Sequence, residues 1–572
     1  LTLLPIKKQR RKEVEMKLST LGWIIAILLI TTFGYLTFST EVAADSDIAE
    51  SEKYYDIGDF HQPVTTDSEK AQIWFNRGLA MCYAFNHEEA ARCFQNAIAE
   101  DPNMAMAYWG WAYALGPNIN NLEIPAADIA SADSLLTIAA GYAEKTSETE
   151  KQLIKALARR YTQDAPDDRQ PLNTDYSNSM RELYKQDSNN PLIASLFAES
   201  LMILRPWKHW SPEGVPAEET PEIISILEAA LEKSPDYAML SHLYIHVMEA
   251  SPTPEKALEA ANSLQDVMPG VGHLVHMPSH IYVLVGDYEK AIISNQKAIV
   301  ADELYLEREG AENFYSLYRI HNYHFLVYGA MFDGQSELAL QAARDISKQV
   351  PESMLKEWSD FLDAFMPTAL HVLIRFGRWE DILNEPEPAE YLPVSRSMRH
   401  YARAVAYAAT NRVPEAEAEY KAFHLERKRV PETSILFNNT SLSILGVADK
   451  MAAGEIAYRK GEYETAFALL REAVQRDDAL NYDEPWGWMQ PARHALGALL
   501  MEQNRIEEAV AVYRKDLKRH PKNVWALQGL AECLERQGNT KEAQQYKDMR
   551  TAAAARADVK VDRSCFCRTD VK

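Results

Sequence analysis

Seven of the chain's 15 histidines fall between residues 242 and 324. Three of them, His273, His276 and His280, sit in GHLVHMPSHIYVLVG; His242 and His246 lie in HLYIHVME, and His321 and His324 in HNYHF. Imidazoles four residues apart project from one helix face and can reach a common ion, as in helical zinc and di-iron sites. Neutral imidazole with one or two carboxylates suits Zn, Cu, Ni or Fe(II), and two histidines plus one carboxylate leave open positions for substrate or dioxygen. His242, His246 and Glu249 offer that ligand set on one helix. Seven imidazoles exceed the need of one ion, so a second ion, outer hydrogen-bonding roles and acid/base roles are all open. Two other uses compete with a metal: a polar groove for a peptide or small ligand, and plain structural hydrogen bonding, which would leave many donors and acceptors to satisfy.

The elements that carry these residues are helices. Strand signals are nearly absent, apolar residues recur at helical spacing, and turn residues punctuate the chain at short intervals. A period of 34 residues follows. In the stretch starting at Ala71, Trp74 is fourth, Gly78 eighth, Ala90 twentieth, Phe94 twenty-fourth, Ala97 twenty-seventh and Pro102 thirty-second. Frames beginning at Ala238 and Gly272 are 34 apart, as are those at Gln490 and Val524, and further frames begin near Ile320, Asp363, Ser397 and Val447. The pattern resembles the tetratricopeptide repeat: small residues where two helices touch, and Pro where the second ends. The resemblance implies an all-α, right-handed superhelical solenoid whose concave groove is lined by the first helix of each pair. Residues 105 to 235 are helical but fit the frame poorly.

Within these frames His242, His246 and Glu249 are fifth, ninth and twelfth; His273, His276 and His280 are second, fifth and ninth; His321 and His324 are second and fifth. Positions two, five, nine and twelve form one helical stripe, and in tetratricopeptide repeats that stripe looks into the groove. The span from HLYIHVME through GHLVHMPSH to HNYHF is similar to a bacterial group of tetratricopeptide-repeat proteins sharing this histidine-rich block, a likeness that implies fold and grouping but no reaction. Pro278 falls seventh in its frame, so the helix either kinks or begins there; Pro367, ahead of His371, repeats the device.

Trp207, Trp210, Trp486 and Trp488 lie in inserted segments (205 to 221 and 481 to 490) and are expected to pack over repeat edges rather than to floor a pocket. Glu199 is an additional candidate ligand. The acidic stretch DELYLEREGAEN, 302 to 313, either lids the groove or is solvated. There is no P-loop, dinucleotide fingerprint, nucleophile elbow or HExxH motif.

A length of 572 residues calls for several domains or a repeat array, and a net charge of −23 excludes a phosphate-neutralising nucleic-acid surface. The basic KKQRRK and the mostly apolar run from Leu21 to Phe38, followed by EVAADS, read as an export signal, with Met16-Lys17 as the expected start. An uncleaved membrane tether through 21 to 38, with the repeats outside the cytoplasm, is the other reading. Cys82, Cys93 and Cys533 read as buried small hydrophobes, while Cys565 and Cys567 form a C-x-C able to pair or to hold a soft metal. The expected organisation is a signal or anchor over 1–44, a polar linker over 45–70, N-terminal repeats over 71–237, central histidine-rich repeats over 238–345, C-terminal repeats over 346–558 and a polar tail over 559–572. The functional expectation is an exported (periplasmic or secreted) repeat protein with a transition-metal site (Zn, Cu or Fe) at His242, His246, Glu249, His273, His276, His280, His321 and His324, with catalysis left open. The alternative is a non-enzymatic scaffold that takes a peptide or protein partner in the groove.

Overall fold

A computed structural model describes residues 54–162 and 166–569. The leader expected over 1–44 lies outside the described residues, and among those described no helix is long and apolar enough to cross a membrane. From Tyr55 onward the chain forms one unit of successive helical hairpins. Glu69–Tyr83 pairs with His87–Glu100, Ser441–Arg459 with Tyr463–Asp478, Ala492–Glu502 with Ile506–Arg519, and Val524–Arg536 with Thr540–Ala553. The poorly framed stretch from 105 to 235 also folds into packed helices. The strand content described is one short antiparallel pair, Ile435–Leu436 with Asn439–Thr440.

Sequence chemistry sets this pairing directly. At the eighth position of three frames, Gly78, Gly454 and Gly497 touch the twenty-fourth residues Phe94, Leu470 and Tyr513: a Cβ added to each would lie 2.8, 2.7 and 2.5 Å from those side chains. Only glycine permits so close an approach of two helices. The turn inside each hairpin needs a left-handed residue, and at Gly286, Gly334, Gly377, Asn411, Gly461, Asn504 and Gly538 the chain supplies Gly or Asn. The same kind of turn, between Glu69–Tyr83 and His87–Glu100, instead carries Phe85 at φ 56°.

The solenoid winds tightly enough for distant repeats to touch. Trp525 Nε1 donates to the Met331 carbonyl at 2.8 Å, Arg556 pairs with Asp333 at 2.8 and 2.6 Å, and Asp558 accepts from the Ser336 and Glu337 amides at 2.6 and 2.9 Å. At the other end, Tyr83 and Tyr237 hydroxyls meet at 2.5 Å. Where an open concave trough is expected, the central repeats are therefore enclosed.

The described parts of the expected polar linker and polar tail, 54–70 and 559–569, both make contacts with the repeats. Thr65 donates from its amide and hydroxyl to Glu150 at 2.7 and 2.6 Å, and the Gly270 amide donates to the Asp56 carbonyl at 2.8 Å. Near the C-terminus Ser564, Cys567 and Arg568 are buried. The acidic stretch 302–313 is largely solvated: most of it continues helix Tyr288–Glu309 with Glu303, Glu307, Glu309 and Glu312 exposed, while buried Asp302 accepts from Tyr315 and Asn322 at 3.0 and 2.8 Å. Cys82, Cys93 and Cys533 are buried, as expected.

Candidate metal centre

His242 and His246 stand on helix Ala238–Met248, and Glu249 caps its end. The Pro278 position divides the next element in two, Gly272–His276 and Pro278–Val285, so His273 and His276 ride on a short entry helix and His280 on the one after it. His321 comes from Ser316–Asp333. All six imidazoles are buried, none more than 8% exposed.

They form two sets. The candidate donor atoms of His242, His246 and His273 lie within 4.8 Å of one another, and so do those of His276, His280 and His321. The sets adjoin, with ring centroids 5.9 Å apart between His273 and His276 and 5.8 Å between His246 and His280. Buried triads of this kind could hold a metal.

Hydrogen bonds behind the rings decide which nitrogens face inward. Glu249 contacts Nδ1 of His246 at 2.9 Å and Nδ1 of His280 at 2.7 Å, and Glu484 also reaches His280 Nδ1, at 2.8 Å. Asn295 is oriented by its own bond to the Ala291 carbonyl, so its oxygen meets His276 Nδ1 at 2.7 Å. A ring that donates from Nδ1 presents a bare Nε2 lone pair. Accordingly His276 and His280 turn Nε2 toward Nε2 at 2.7 Å, and His246 Nε2 has no hydrogen-bond partner. Both nitrogens of His242 and of His273 also lack one; the Tyr83 carbonyl near His242 lies outside bonding geometry. Burying that many unsatisfied nitrogens costs about 1–3 kcal/mol each. A cation shared among them removes the penalty.

Burial sets the protonation states. It pushes His242 down to about 3 and holds His246, His273, His276 and His321 well below the ordinary imidazole value, with neighbouring imidazoles adding to the effect. These rings are neutral at pH 7, the form that binds metal. Burial and then the adjacent Glu484 carboxylate hold Glu249 well above its ordinary value. Burial also pushes Glu484 upward, yet the His280 ring and the bonds from Glu249 and Tyr482 bring it below. The two carboxyls therefore retain a proton between them.

Aromatic residues wall the cluster. The Phe85 ring lies 4.7, 5.9 and 5.4 Å from those of His242, His246 and His273; Trp207 is 6.0 Å from His246, and Phe437 is 5.2 Å from His321. All three have positive φ, 56°, 58° and 46°, and bulky residues hold that conformation only where surrounding structure enforces it. His246, His273, His280 and His321 face a chamber of about 380 Å³ whose other walls include Trp207, Phe361 and Phe437. No Lys or Arg lines it among the described residues.

Other sequence candidates lie elsewhere. His324 turns away to Phe365, at 5.2 Å, and shares a small pocket with His371. Glu249, by contrast, bridges Nδ1 of His246 and Nδ1 of His280, and with those two rings makes a third group whose donor atoms lie within 4.8 Å of one another. Glu199 bonds Tyr113, and burial raises it to about 7. Trp207, expected to pack over a repeat edge, instead walls the chamber, whereas Trp488 packs on His371 and Tyr401. Glu484, Asn295 and Phe85 were not identifiable from the frame. Glu484 comes from the 481–490 insertion some 200 residues away in the chain, and the only sequence signal for Phe85 is a bulky residue where sister turns carry Gly or Asn.

Two family profiles described as tetratricopeptide repeat match the chain, over residues 71–104 and 500–560. With the glycine contacts above, the chain is an all-α tetratricopeptide-repeat protein. No curated relative matches it. Among solved structures it is similar to the human IFIT1 dimer with m7Gppp-AAAA, at 13% identity over 86% of this chain and 92% of that one, with a TM-score of 0.30. The human IFIT1 dimer with PPP-AAAA is similar at 13% identity over 86% and 96%, with a TM-score of 0.29. A likeness at that level carries nothing about ligands to this chain.

Proposed function

We propose that this protein binds transition-metal ions at two adjoining three-histidine sites, His242/His246/His273 and His276/His280/His321, with Glu249, Glu484 and Asn295 orienting the rings from behind. The observation that carries the reading is the inward-facing set of imidazole nitrogens that no other group among the described residues satisfies. Three imidazoles suit Zn, Cu or Fe(II), at metal–nitrogen distances of about 2.0–2.2 Å. A carboxylate behind a ligating histidine fixes its tautomer and raises its basicity, a role in which loss of the partner costs about 10–100-fold in affinity. The aromatic chamber gives the open side of such a centre room for a small apolar molecule, which is what a metalloenzyme would need. His324 belongs to neither site.

Tetratricopeptide repeats generally mediate protein interactions. Enclosure of the imidazoles favours an ion over an extended peptide at this part of the groove, because a peptide needs its contacts spread along an accessible surface. Export of the protein remains part of the reading and rests on the leader sequence alone.

The test is elemental analysis of untagged protein beside a His242→Ala/His276→Ala double variant. Expected is near-stoichiometric metal, up to two ions per chain, that falls in the variant. Absence of metal from both, even after reconstitution with Zn, Cu and Fe(II), rejects the reading.

A further inference from the structure

A second cluster of donor atoms lies outside the histidine centre, where the chain's last residues dock onto the C-terminal repeats. After Arg556 the chain runs back across the helices. Ser564 donates to the His494 carbonyl at 3.0 Å, Phe566 packs 6.1 Å from Trp525, and Arg568 forms a two-pronged pair with Glu532 at 2.9 and 2.9 Å. Arg459 donates to the Cys567 carbonyl. This docking brings Cys565 and Cys567, joined as a disulfide, beside Glu455 of helix Ser441–Arg459. The two sulfurs and a Glu455 carboxylate oxygen lie within 4.8 Å of one another.

Glu455 has the Arg459 charge nearby, yet one of its carboxylate oxygens is unmet. It is 2% exposed, and its Oε2 has no hydrogen-bond partner. A buried acceptor left so costs stability that glutamine or an apolar residue would avoid. Cys567 is fully buried, so the sulfurs approach the carboxylate in a space from which water is largely excluded.

We propose that Glu455, Cys565 and Cys567 form a metal site for Zn(II), available when the C-x-C pair is reduced. A dithiol reductant supplies two electrons and two protons, breaking the sulfur–sulfur bond to give two thiols and the reductant's own disulfide. Zn(II) then displaces both thiol protons and any proton on Glu455, forming two Zn–S bonds and one Zn–O bond. Two sulfurs at about 2.3 Å from one tetrahedral ion are a spacing that residues two apart can reach. Three negative ligands on a doubly positive ion leave one net negative charge, which Arg459, alongside Glu455, offsets. The bound ion would pin the tail to helix Ser441–Arg459.

The chain is reduced anaerobically with dithiothreitol, freed of reductant and titrated with Co(II), which stands in for Zn(II) and absorbs. Imidazole sites give no sulfur-to-cobalt charge transfer, so that near-ultraviolet band reports this site alone. The expected result, with Co(II) added until the histidine sites too are filled, is a band in the reduced protein of the intensity of one thiolate-bound Co(II) per chain, and none in the oxidised protein. The band should persist in the His242→Ala/His276→Ala variant and disappear in Cys567→Ser. Because Cys567 is buried, Cys565→Ser, at a half-buried position, serves as the second cysteine variant and should also lose it. Glu455→Gln, which keeps the shape, should weaken Co(II) binding at least 10-fold. A reduced wild-type protein without the band, or a Glu455→Gln variant that binds as tightly as wild type, overturns the proposal.

Discussion

Replacing His273 with Phe should stabilise the metal-free protein and destabilise the metal-loaded one. His273 is 1% exposed, and neither ring nitrogen has a hydrogen-bond partner. It packs among rings, 5.0 Å from His242, 5.4 Å from Phe85 and 4.8 Å from Tyr318. Phe is close to His in shape and offers those neighbours an apolar edge, and the adjoining chamber accommodates its extra volume. Each unmade hydrogen bond costs about 1–3 kcal/mol, and partial relaxation of the site makes a gain of about 2 kcal/mol a reasonable figure for the pair. With metal present, wild type gains about 2.7 kcal/mol per site at a free ion concentration of 100 times Kd, and the variant loses the share due to the His273 site. The two effects have opposite sign, so the stability order of the two proteins should invert between chelator and excess metal. Unfolding entropy of about 2.1 cal/mol/K per residue gives a unit of this size about 1.1 kcal/mol/K, so each effect moves the melting midpoint by about 2 °C. Calorimetry and urea midpoints, each with chelator and with metal, resolve shifts of that size. A His273→Phe protein less stable than wild type in chelator would show that the ring makes polar interactions the fold needs, and the argument from orphaned nitrogens would fail.

Glu249→Gln should lower metal affinity about 10–100-fold with little loss of fold, because the amide leaves one oxygen where the carboxyl offers two, one to His246 Nδ1 and one to His280 Nδ1; competition with a chromophoric chelator reads this directly. Affinity at the His242/His246/His273 site should stay nearly flat from pH 8 to pH 6. Burial already holds His242 down to about 3, so protons begin to compete only well below the pH at which an exposed imidazole would be charged; a tenfold fall between pH 7 and pH 6 would contradict this. Phe85→Asn should fold, since Asn fills the same turn position at Asn411 and Asn504, yet weaken metal binding by opening the wall over three imidazoles; melting in chelator and metal titration separate the two effects. Gly497→Ala should cost about 1–3 kcal/mol in urea denaturation, because the new Cβ would lie 2.5 Å from the Tyr513 ring, and a neutral result would remove the packing account of the eighth position.

The period of 34, the glycines at position eight and the Gly and Asn turn residues are local features, each dictated by how two helices touch or how a chain reverses. They made the repeat class and most hairpins legible in the sequence. The stripe positions likewise placed His242, His246, His273, His276, His280 and His321 toward one volume, because helical phase depends only on spacing. The same phase argument misplaced His324. Whether it meets the others depends on how Ser316–Asp333 lies against its neighbours, and in the fold it turns to Phe365 and His371. Nor could spacing divide the rings into two sets or reveal that Glu249 bridges one to the other. Glu484 and Phe85 reach the centre from hairpins remote in sequence, and the tail reaches Glu455 only because it runs back over the last repeats. Such contacts are fixed by the superhelical winding, a sum of small rotations between repeats that no single repeat encodes. Local chemistry determined the helices and the faces they present; tertiary packing decided which nitrogens were left facing one another.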